Sequence, residues 1–214
     1  MGGVSVQTLL AFAAASMVLL IIPGPTVITV VTQALSHGRR AALASIAGVA
    51  FGDLLAATLS TIGVGTLLAA SAELFTVVKW AGAAYLVYVG VMMWRAPVSR
   101  LSDQIDRAPD LKGPGDVFRA VFLVTVFNPK GIVFFMAFVP QFVNPAHAFG
   151  PQAGILIAVF VALGAANAFA YFVAASAARR MIRRPKVLRV ATRTGAGFLV
   201  AAGLASLFAR RVAV

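Results

Sequence analysis

Two ionisable residues, Asp53 and Lys130, lie inside long apolar stretches of this 214-residue chain. A charged side chain at the centre of a membrane helix costs about 2.5–3.5 kcal/mol on insertion scales, so such residues face a cavity or each other. A carboxylate can bind an ammonium group or a proton, and an ammonium group can bind a carboxylate or hold a nearby acid ionised. Asp53 and Lys130 therefore predict either a site for a zwitterion or a buried ion pair that only locks the helices together.

Prolines interrupt two apolar stretches: Pro23, Gly24 and Pro25 stand in the first, and Asn128 and Pro129 in the second. A proline has no N–H to donate and its ring clashes with the carbonyl four residues earlier, so a helix breaks there. Broken backbone survives in lipid only where it faces protein or a water-filled cavity. A helix that restarts after Pro25, or after Pro129, presents unpaired N–H groups that suit a carboxylate, and we assign those around residues 26–28 to a substrate carboxylate. A packing kink without a binding role is the alternative.

The composition is that of a membrane protein with several spans. Hydrophobic residues make up 61% of the chain and charged residues 11%, and the mean hydropathy is +0.95, which leaves too little polar surface for a soluble domain. The net charge of +12 comes from basic residues that flank apolar spans without interleaved aromatics, so we expect cytoplasmic loops and no nucleic-acid partner. The chain has no cysteine, which excludes thiol and iron–sulfur chemistry.

Apolar runs predict about six transmembrane helices, at residues 6–35, 41–70, 74–94, 117–139, 152–178 and 194–209. The polar stretch 95–116 divides a single transmembrane transporter domain, 1–214, into the three-helix halves 1–94 and 117–214. Each half opens with a proline-broken helix, helix 1 or helix 4. The predicted fold class is an all-α polytopic membrane protein built as a 3+3 inverted repeat, and paired breaks in such a repeat point to a transporter's binding site.

The distribution of basic residues predicts the orientation. Fourteen Lys and Arg residues fall in or beside the connections 36–40, 95–116 and 179–193, against three on the opposite side. Cytoplasmic loops carry the excess of positive charge. The stretch 95–116 is therefore predicted to be a cytoplasmic linker loop, and both termini are predicted to be periplasmic.

Small residues recur on a four-residue step at Ala44, Gly48 and Gly52, directly before Asp53. Small residues at this spacing let membrane helices approach closely. We expect Gly48 and Gly52 to form a helix-packing seam inside the chain. A homodimer interface at these residues is the alternative.

The chain resembles the LysE/RhtB family of bacterial amino-acid exporters in two stretches, LIIPGPTVITVVTQALSHGRRAALASIAGVAFGDLL and FNPKGIVFFMAFVPQFVNP. The similarity extends over nearly the whole chain in order, spacing and length. It implies a multi-pass protein of the bacterial inner membrane that exports amino acids or close derivatives from the cytoplasm, driven by an ion gradient. By motif match it singles out Pro23, Gly24, Pro25, Gly48, Gly52, Asp53, Asn128, Pro129 and Lys130. The motifs do not specify the substrate, because members that handle basic and neutral amino acids share them.

We therefore predict a secondary exporter and not an enzyme. The predicted substrate-binding residues are Pro23, Gly24, Pro25, Thr26, Asp53, Asn128, Pro129, Lys130 and Asn167, with Gln141 as a further hydrogen-bonding candidate. Asp53 is expected to bind the substrate ammonium group, and its proton is the expected coupling ion. The sequence contains no P-loop, H-E-x-x-H motif or His cluster, so we expect no metal, no cofactor and no catalytic residue. A passive channel or a structural membrane protein is the alternative, although a channel would line whole spans with polar residues.

Overall fold

The computed structural model describes residues 3–37, 41–95, 111, 113–144, 146–177 and 185–208. Regular structure within these ranges is helical. It comprises eight α-helices, which are α1 (Val6–Ile21), α2 (Pro25–His37), α3 (Ala42–Ala70), α4 (Ala72–Arg95), α5 (Pro114–Val126), α6 (Pro129–Phe138), α7 (Phe149–Ala177) and α8 (Pro185–Phe208). A short 3-10 turn, Val139–Gln141, extends α6.

The predicted break in the first apolar stretch is confirmed, because α1 and α2 meet at a bend of 58°. Pro23 and Pro25 have no N–H for the carbonyls of Leu19 and Ile21, so the first helix cannot continue through them. Pro25 instead becomes the first residue of α2, where its missing N–H is no loss and its fixed φ suits the helix.

The second predicted break is also confirmed, and α5 and α6 meet there at a bend of 43°. Pro129 is the first residue of α6, and the Asn128 side chain caps the helix by accepting from the Lys130 N–H at 3.2 Å. The N–H groups of Gly131 and Ile132 donate to the Asn128 carbonyl at 3.1 and 3.2 Å. The start of α6 is therefore satisfied by its own capping residue.

Several helices are long and apolar enough to cross a membrane. α3 and α7 meet this test over Ala42–Thr66 and Phe149–Ala175, and each bent pair meets it when counted as one span. The described residues thus contain two to four candidate spans, and the apolar stretch of α4 is shorter, Trp80–Met92. Together with the composition, these helices make the chain a polytopic membrane protein.

The order of helices is the same in the two halves of the chain. A broken pair, a helix of 29 residues and a helix of 24 residues occur twice in succession. The contacts between helices have the same symmetry. α3 packs on its counterpart α7, and α4 packs on its counterpart α8. α2 packs on α7, and its counterpart α6 packs on α3. The contact between α4 and α8 is the most extensive of the described helix pairs.

Two apolar clusters make up the core. Leu19 and Phe160 belong to a cluster rich in phenylalanine, whereas Val27 and Val49 belong to a cluster of mostly β-branched and small residues. All four residues line one cavity. The cavity therefore lies where the two clusters meet.

Gly48 and Gly52 lie where α3 crosses α5. A methyl group at Gly48 would come within 2.9 Å of Val121 Cβ, and one at Gly52 within 2.7 Å of Thr125 Cβ. Such contacts are too short for any residue with a side chain, so the two helices approach at a distance that only glycine permits. This seam lies within one chain, and it fixes the part of α3 that carries the next residue, Asp53.

The last helix begins earlier than the sequence predicts, at Pro185 and not near residue 194. The part of the predicted loop 179–193 that starts at Pro185 is therefore helical. Arg193 in this part lies 5.6 Å from the ring centroid of Trp94 in α4, a cation–π contact that stabilises the basic turns against α4. Most of the predicted linker 95–116 and residues 209–214 lie outside the described residues.

Candidate functional site

Both helix breaks meet at a cavity of about 30 Å³. Its polar lining comes from both breaks and from α3 and α7, and includes Gly24, Thr26, Asp53, Asn128, Lys130 and Asn167. A cavity of this size holds about two water molecules. The structure thus brings together six of the residues that the sequence predicts for the site.

The three predicted site prolines, Pro23, Pro25 and Pro129, do not line the cavity. They act on the backbone, because they end one helix and start the next at the cavity wall. Gln141 also lies outside the lining, and its Nε2 donates to a backbone carbonyl of α6 at 2.7 Å.

The start of α2 is hydrogen-bonded to the second break through the Thr26 hydroxyl. Asn128 Nδ2 donates to Thr26 Oγ1 at 3.1 Å, and the Thr125 hydroxyl lies 3.3 Å from the same oxygen. Thr125 Oγ1 also lies 2.8 Å from the Val121 carbonyl oxygen in its own helix. These contacts join the two halves of the chain directly at the cavity.

The carbonyls at the end of α1 accept hydrogen bonds from side chains of the second half. Lys130 Nζ donates to the carbonyls of Leu19 at 2.8 Å and Ile22 at 2.9 Å. Broken backbone in a membrane needs such partners, because lipid supplies none. The ammonium group is also well placed electrostatically, since the C-terminal end of a helix carries a partial negative charge.

The two remaining carbonyls at this helix end are bonded by α7. Asn167 Nδ2 donates to the Leu20 carbonyl at 3.0 Å, and the Tyr171 hydroxyl donates to the Ile21 carbonyl. Together with the Lys130 contacts, these bonds satisfy four consecutive carbonyls, from Leu19 to Ile22. The break is therefore stabilised almost entirely by the other half of the molecule.

Asp53 lies against Gly164 of α7, and its Oδ2 atom is buried without a hydrogen-bond partner among the described residues. A methyl group at Gly164 would collide with this oxygen. Lys130 makes no salt bridge to any acid that the structure describes, so the alternative of a direct ion pair with Asp53 is not formed in this conformation, although the two charges attract each other. A buried carboxylate oxygen without a partner is free to bind a proton or an ammonium group.

Two backbone N–H groups at the start of α2 are also free. The first hydrogen bond of this helix runs from the Ile28 N–H to the Gly24 carbonyl at 2.9 Å. The N–H groups of Thr26 and Val27 precede it and have no partner among the described residues. Both residues line the cavity. Of the two breaks, only the first therefore offers free N–H groups there.

Sequence reasoning missed Gly164 and Tyr171, although the signal was present. Gly164, Asn167, Ala168 and Tyr171 follow the spacing i, i+3, i+4, i+7, which places them on one face of α7. This face lines the cavity. The described residues contain no group of three or more His, Asp or Glu that could hold a metal ion.

A polytopic helical protein whose two broken helices meet at a polar cavity has the architecture of a membrane transporter. The comparison with known families agrees, because residues 17–210 match the model of the LysE type translocators. The chain belongs to this family, and it is a translocator and not an enzyme.

Relatives of the chain include proteins named as efflux proteins. The chain is 34% identical over 183 residues to a membrane protein of Vibrio cholerae, an alignment that covers 84% of this chain and 86% of the relative. It is 37% identical over 135 residues to the homoserine/homoserine lactone efflux protein of Salmonella typhimurium, covering 63% of this chain and 64% of the relative. It is 28% identical over 135 residues to the leucine efflux protein of Klebsiella pneumoniae, covering 63% of each. No solved structure matches the chain.

Proposed function

We propose that the protein exports amino acids or close derivatives from the cytoplasm across the bacterial inner membrane, in exchange for protons. The observation that carries this proposal is the set of groups at the cavity. The Asp53 Oδ2 atom and the N–H groups of Thr26 and Val27 have no hydrogen-bond partner among the described residues. These groups complement the ammonium and carboxylate ends of one zwitterion. The names of the homoserine and leucine efflux proteins support the same class of substrate.

The proposed pose follows from these charges. The substrate carboxylate accepts from the N–H groups of Thr26 and Val27, where the positive end of the α2 dipole favours an anion. The substrate ammonium group donates to Asp53. The remaining lining is mostly apolar, with Val30, Val49 and Phe160 among its residues, and it contacts the substrate side chain.

Transport requires this site to open and close. The cavity of about 30 Å³ is far smaller than the roughly 300–1,000 Å³ of typical ligand pockets. The described conformation is therefore closed on the site, and the two halves must move apart to admit a substrate. The hydrogen bonds from Lys130, Asn167 and Tyr171 to the end of α1 join the halves in the closed conformation.

Exchange with protons follows from the chemistry of Asp53. A single carboxylate can hold either a proton or the substrate ammonium group, but it cannot bind both equally well. Protonation from the periplasmic side would release the substrate, and deprotonation on the cytoplasmic side would restore the site. This mutual exclusion couples outward movement of substrate to inward movement of protons.

Proteoliposomes containing the purified protein test the function. We expect saturable counterflow of labelled homoserine or leucine, accelerated by a proton gradient directed opposite to the substrate movement. A passive channel would give downhill flux without saturation, and a structural membrane protein would give no flux. A growth screen with toxic amino acids, analogues or dipeptides would widen the set of substrates.

We further propose six spans arranged as a 3+3 inverted repeat, in which each broken pair counts as one span and α4 and α8 complete the set. The repeated order of helix lengths and the excess of basic residues in three connections support this arrangement. A homodimer remains compatible with it, but the Gly48 and Gly52 seam is already used inside the chain.

A reporter fused after Arg211 is expected to read as periplasmic, and a reporter inserted at residues 179–184 as cytoplasmic. The reason is that an even number of spans places both termini on the side opposite the basic connections. Paired fusions with an alkaline phosphatase and a fluorescent protein make the measurement. A cytoplasmic reading after Arg211 would mean that one of the six proposed spans does not cross.

Gly164→Ala is expected to lower counterflow about tenfold, equivalent to about 1.4 kcal/mol, because the added methyl group must displace the Asp53 carboxylate. Gly154→Ala is the matched control, since it makes the same change in the same helix at a position with nothing within 4 Å. Counterflow by the control should equal that of the wild type. Equal rates for the two variants would contradict the placement of Asp53 in the site.

A further inference from the structure

The Lys130 ammonium group has an unusual environment for a buried cation. Lys130 is only 9% exposed, and no described acid forms a salt bridge with it. Its Nζ partners on the neighbouring helix are two backbone carbonyls, of Leu19 and Ile22, at 2.8 and 2.9 Å. The Asp53 carboxylate attracts this ammonium group within the same cavity but does not form a salt bridge with it. Burial of the cation is therefore costly unless carbonyl oxygens and a helix dipole replace its water.

These contacts resemble the way in which a free metal cation is bound. Backbone carbonyls at the C-terminal end of a half-helix are the groups that coordinate coupling cations in transporters with broken helices. Here the neighbouring carbonyls of Leu20 and Ile21 are bonded by Asn167 and Tyr171. The Lys130 ammonium group donates to the other two carbonyls, of which the Leu19 carbonyl also accepts from the Ile22 N–H at 3.3 Å.

We propose that the Lys130 ammonium group is a tethered cation that fills a monovalent-cation site formed by the carbonyls of Leu19 and Ile22. The wild-type protein then needs no Na⁺ or K⁺ at this position, and removal of the ammonium group opens the site to a free cation. This inference concerns how the end of α1 is held to α6, and it is independent of which substrate the protein carries.

Chemical rescue of a truncated side chain tests this assignment. Lys130→Ala removes three methylene groups and the ammonium group, which together correspond to n-propylammonium. We expect the Tm of the purified variant to lie about 5–10 °C below that of the wild type, since two charge-assisted hydrogen bonds are lost. Propylammonium chloride should restore at least half of this loss, and NaCl or KCl a smaller part. Choline chloride controls for ionic strength, because choline is too large for the site.

Lys130→Met is the matched control, because it fills the same space without a charge. Its Tm should be low and should respond to propylammonium no more than to choline. A response of the same size in wild type, Lys130→Met and Lys130→Ala, or no specific response in Lys130→Ala, would overturn the proposal. A variant that cannot be recovered folded even in propylammonium also counts against it, because the free amine should replace the missing one.

The wild-type protein provides a second measurement that needs no variant. A tethered cation predicts that replacing choline by Na⁺ or K⁺ leaves the wild-type Tm unchanged, since the site is already filled. A rise in Tm specific to Na⁺ or K⁺ would overturn the proposal. Absence of counterflow would contradict the proposed export but would leave these Tm results, and the inference drawn from them, intact.

Discussion

Asp53→Asn is expected to lower counterflow about a hundredfold while the protein stays folded and inserted. The amide cannot take up a proton or attract an ammonium group, and the loss of a charge-assisted hydrogen bond of about 3 kcal/mol corresponds to roughly this factor. The fold should tolerate the change, because the buried Asp53 Oδ2 atom has no hydrogen-bond partner among the described residues. Removal of a buried charge also removes its desolvation cost. Counterflow and Tm are measured on one preparation.

The matched control for this change is Asp116→Asn. Asp116 is an exposed acid in the first turn of α5, outside the cavity lining. Its substitution weakens a favourable contact with the helix dipole by about 0.3–1 kcal/mol and should leave counterflow unchanged. Normal export by Asp53→Asn would exclude Asp53 from substrate binding and from proton coupling. A large loss of Tm with Asp53→Asn would instead point to a structural role for this carboxylate.

The two helix breaks could be predicted from sequence because their cause is local. Pro23 and Pro25 withhold N–H groups and Pro129 does the same in the second half, and no tertiary contact can restore a donor that the residue lacks. The long apolar runs likewise predict membrane spans, and the excess of basic residues predicts the cytoplasmic connections, without knowledge of any tertiary contact. These features were sufficient to predict a polytopic helical protein with two broken helices.

The partners of the broken backbone could not be predicted, because they come from residues more than 100 positions away. Tyr171 bonds the Ile21 carbonyl across 150 positions, and Lys130 bonds the Leu19 carbonyl across 111. No local pattern specifies which side chain reaches which carbonyl. The sequence allowed an ion pair between Lys130 and Asp53. In the folded chain, the Lys130 ammonium group instead donates hydrogen bonds to carbonyls at the end of α1.

The first turns of α2 and α6 differ in how their N–H groups are capped, and the sequence partly encodes this difference. Asn128 is a favoured N-cap residue, so the N–H groups at the start of α6 are satisfied locally. Gly24 stands at the corresponding place before α2 and has no side chain to cap the N–H groups of Thr26 and Val27. This difference indicates that the substrate carboxylate binds at the first break, a distinction that the prolines alone do not make.

Replacing Pro23, Gly24 and Pro25 together by alanine is expected to abolish substrate binding and to lower the Tm. The N–H groups restored at residues 23 and 25 would compete for the carbonyls of residues 19 and 21, which are already bonded. In a continuous helix the N–H of residue 24 would likewise compete for the carbonyl of residue 20. The competing donors are the side chains of Lys130, Asn167 and Tyr171.

Removal of one partner of a buried charge costs about 3–5 kcal/mol, or roughly 10 °C in Tm for a chain of this size. Relief of the proline clashes offsets this loss only if the helix straightens. Straightening would remove the bend of 58° and pull α2 away from its contacts with α5 and α7. We therefore expect the stability lost with these contacts to exceed the stability gained from relief of the proline clashes.

Binding should fail for a separate reason. A continuous helix would use the N–H groups of Thr26 and Val27 in its own hydrogen bonds and would leave none for the substrate carboxylate. Pro151→Ala is the matched control, because Pro151 is an exposed residue in the first turn of α7, where a missing N–H has no intrahelical partner to lose. Its Tm and binding should match those of the wild type. If the break is only a packing kink, the folded fraction of the triple variant will bind substrate normally, and that result would exclude the start of α2 from the site.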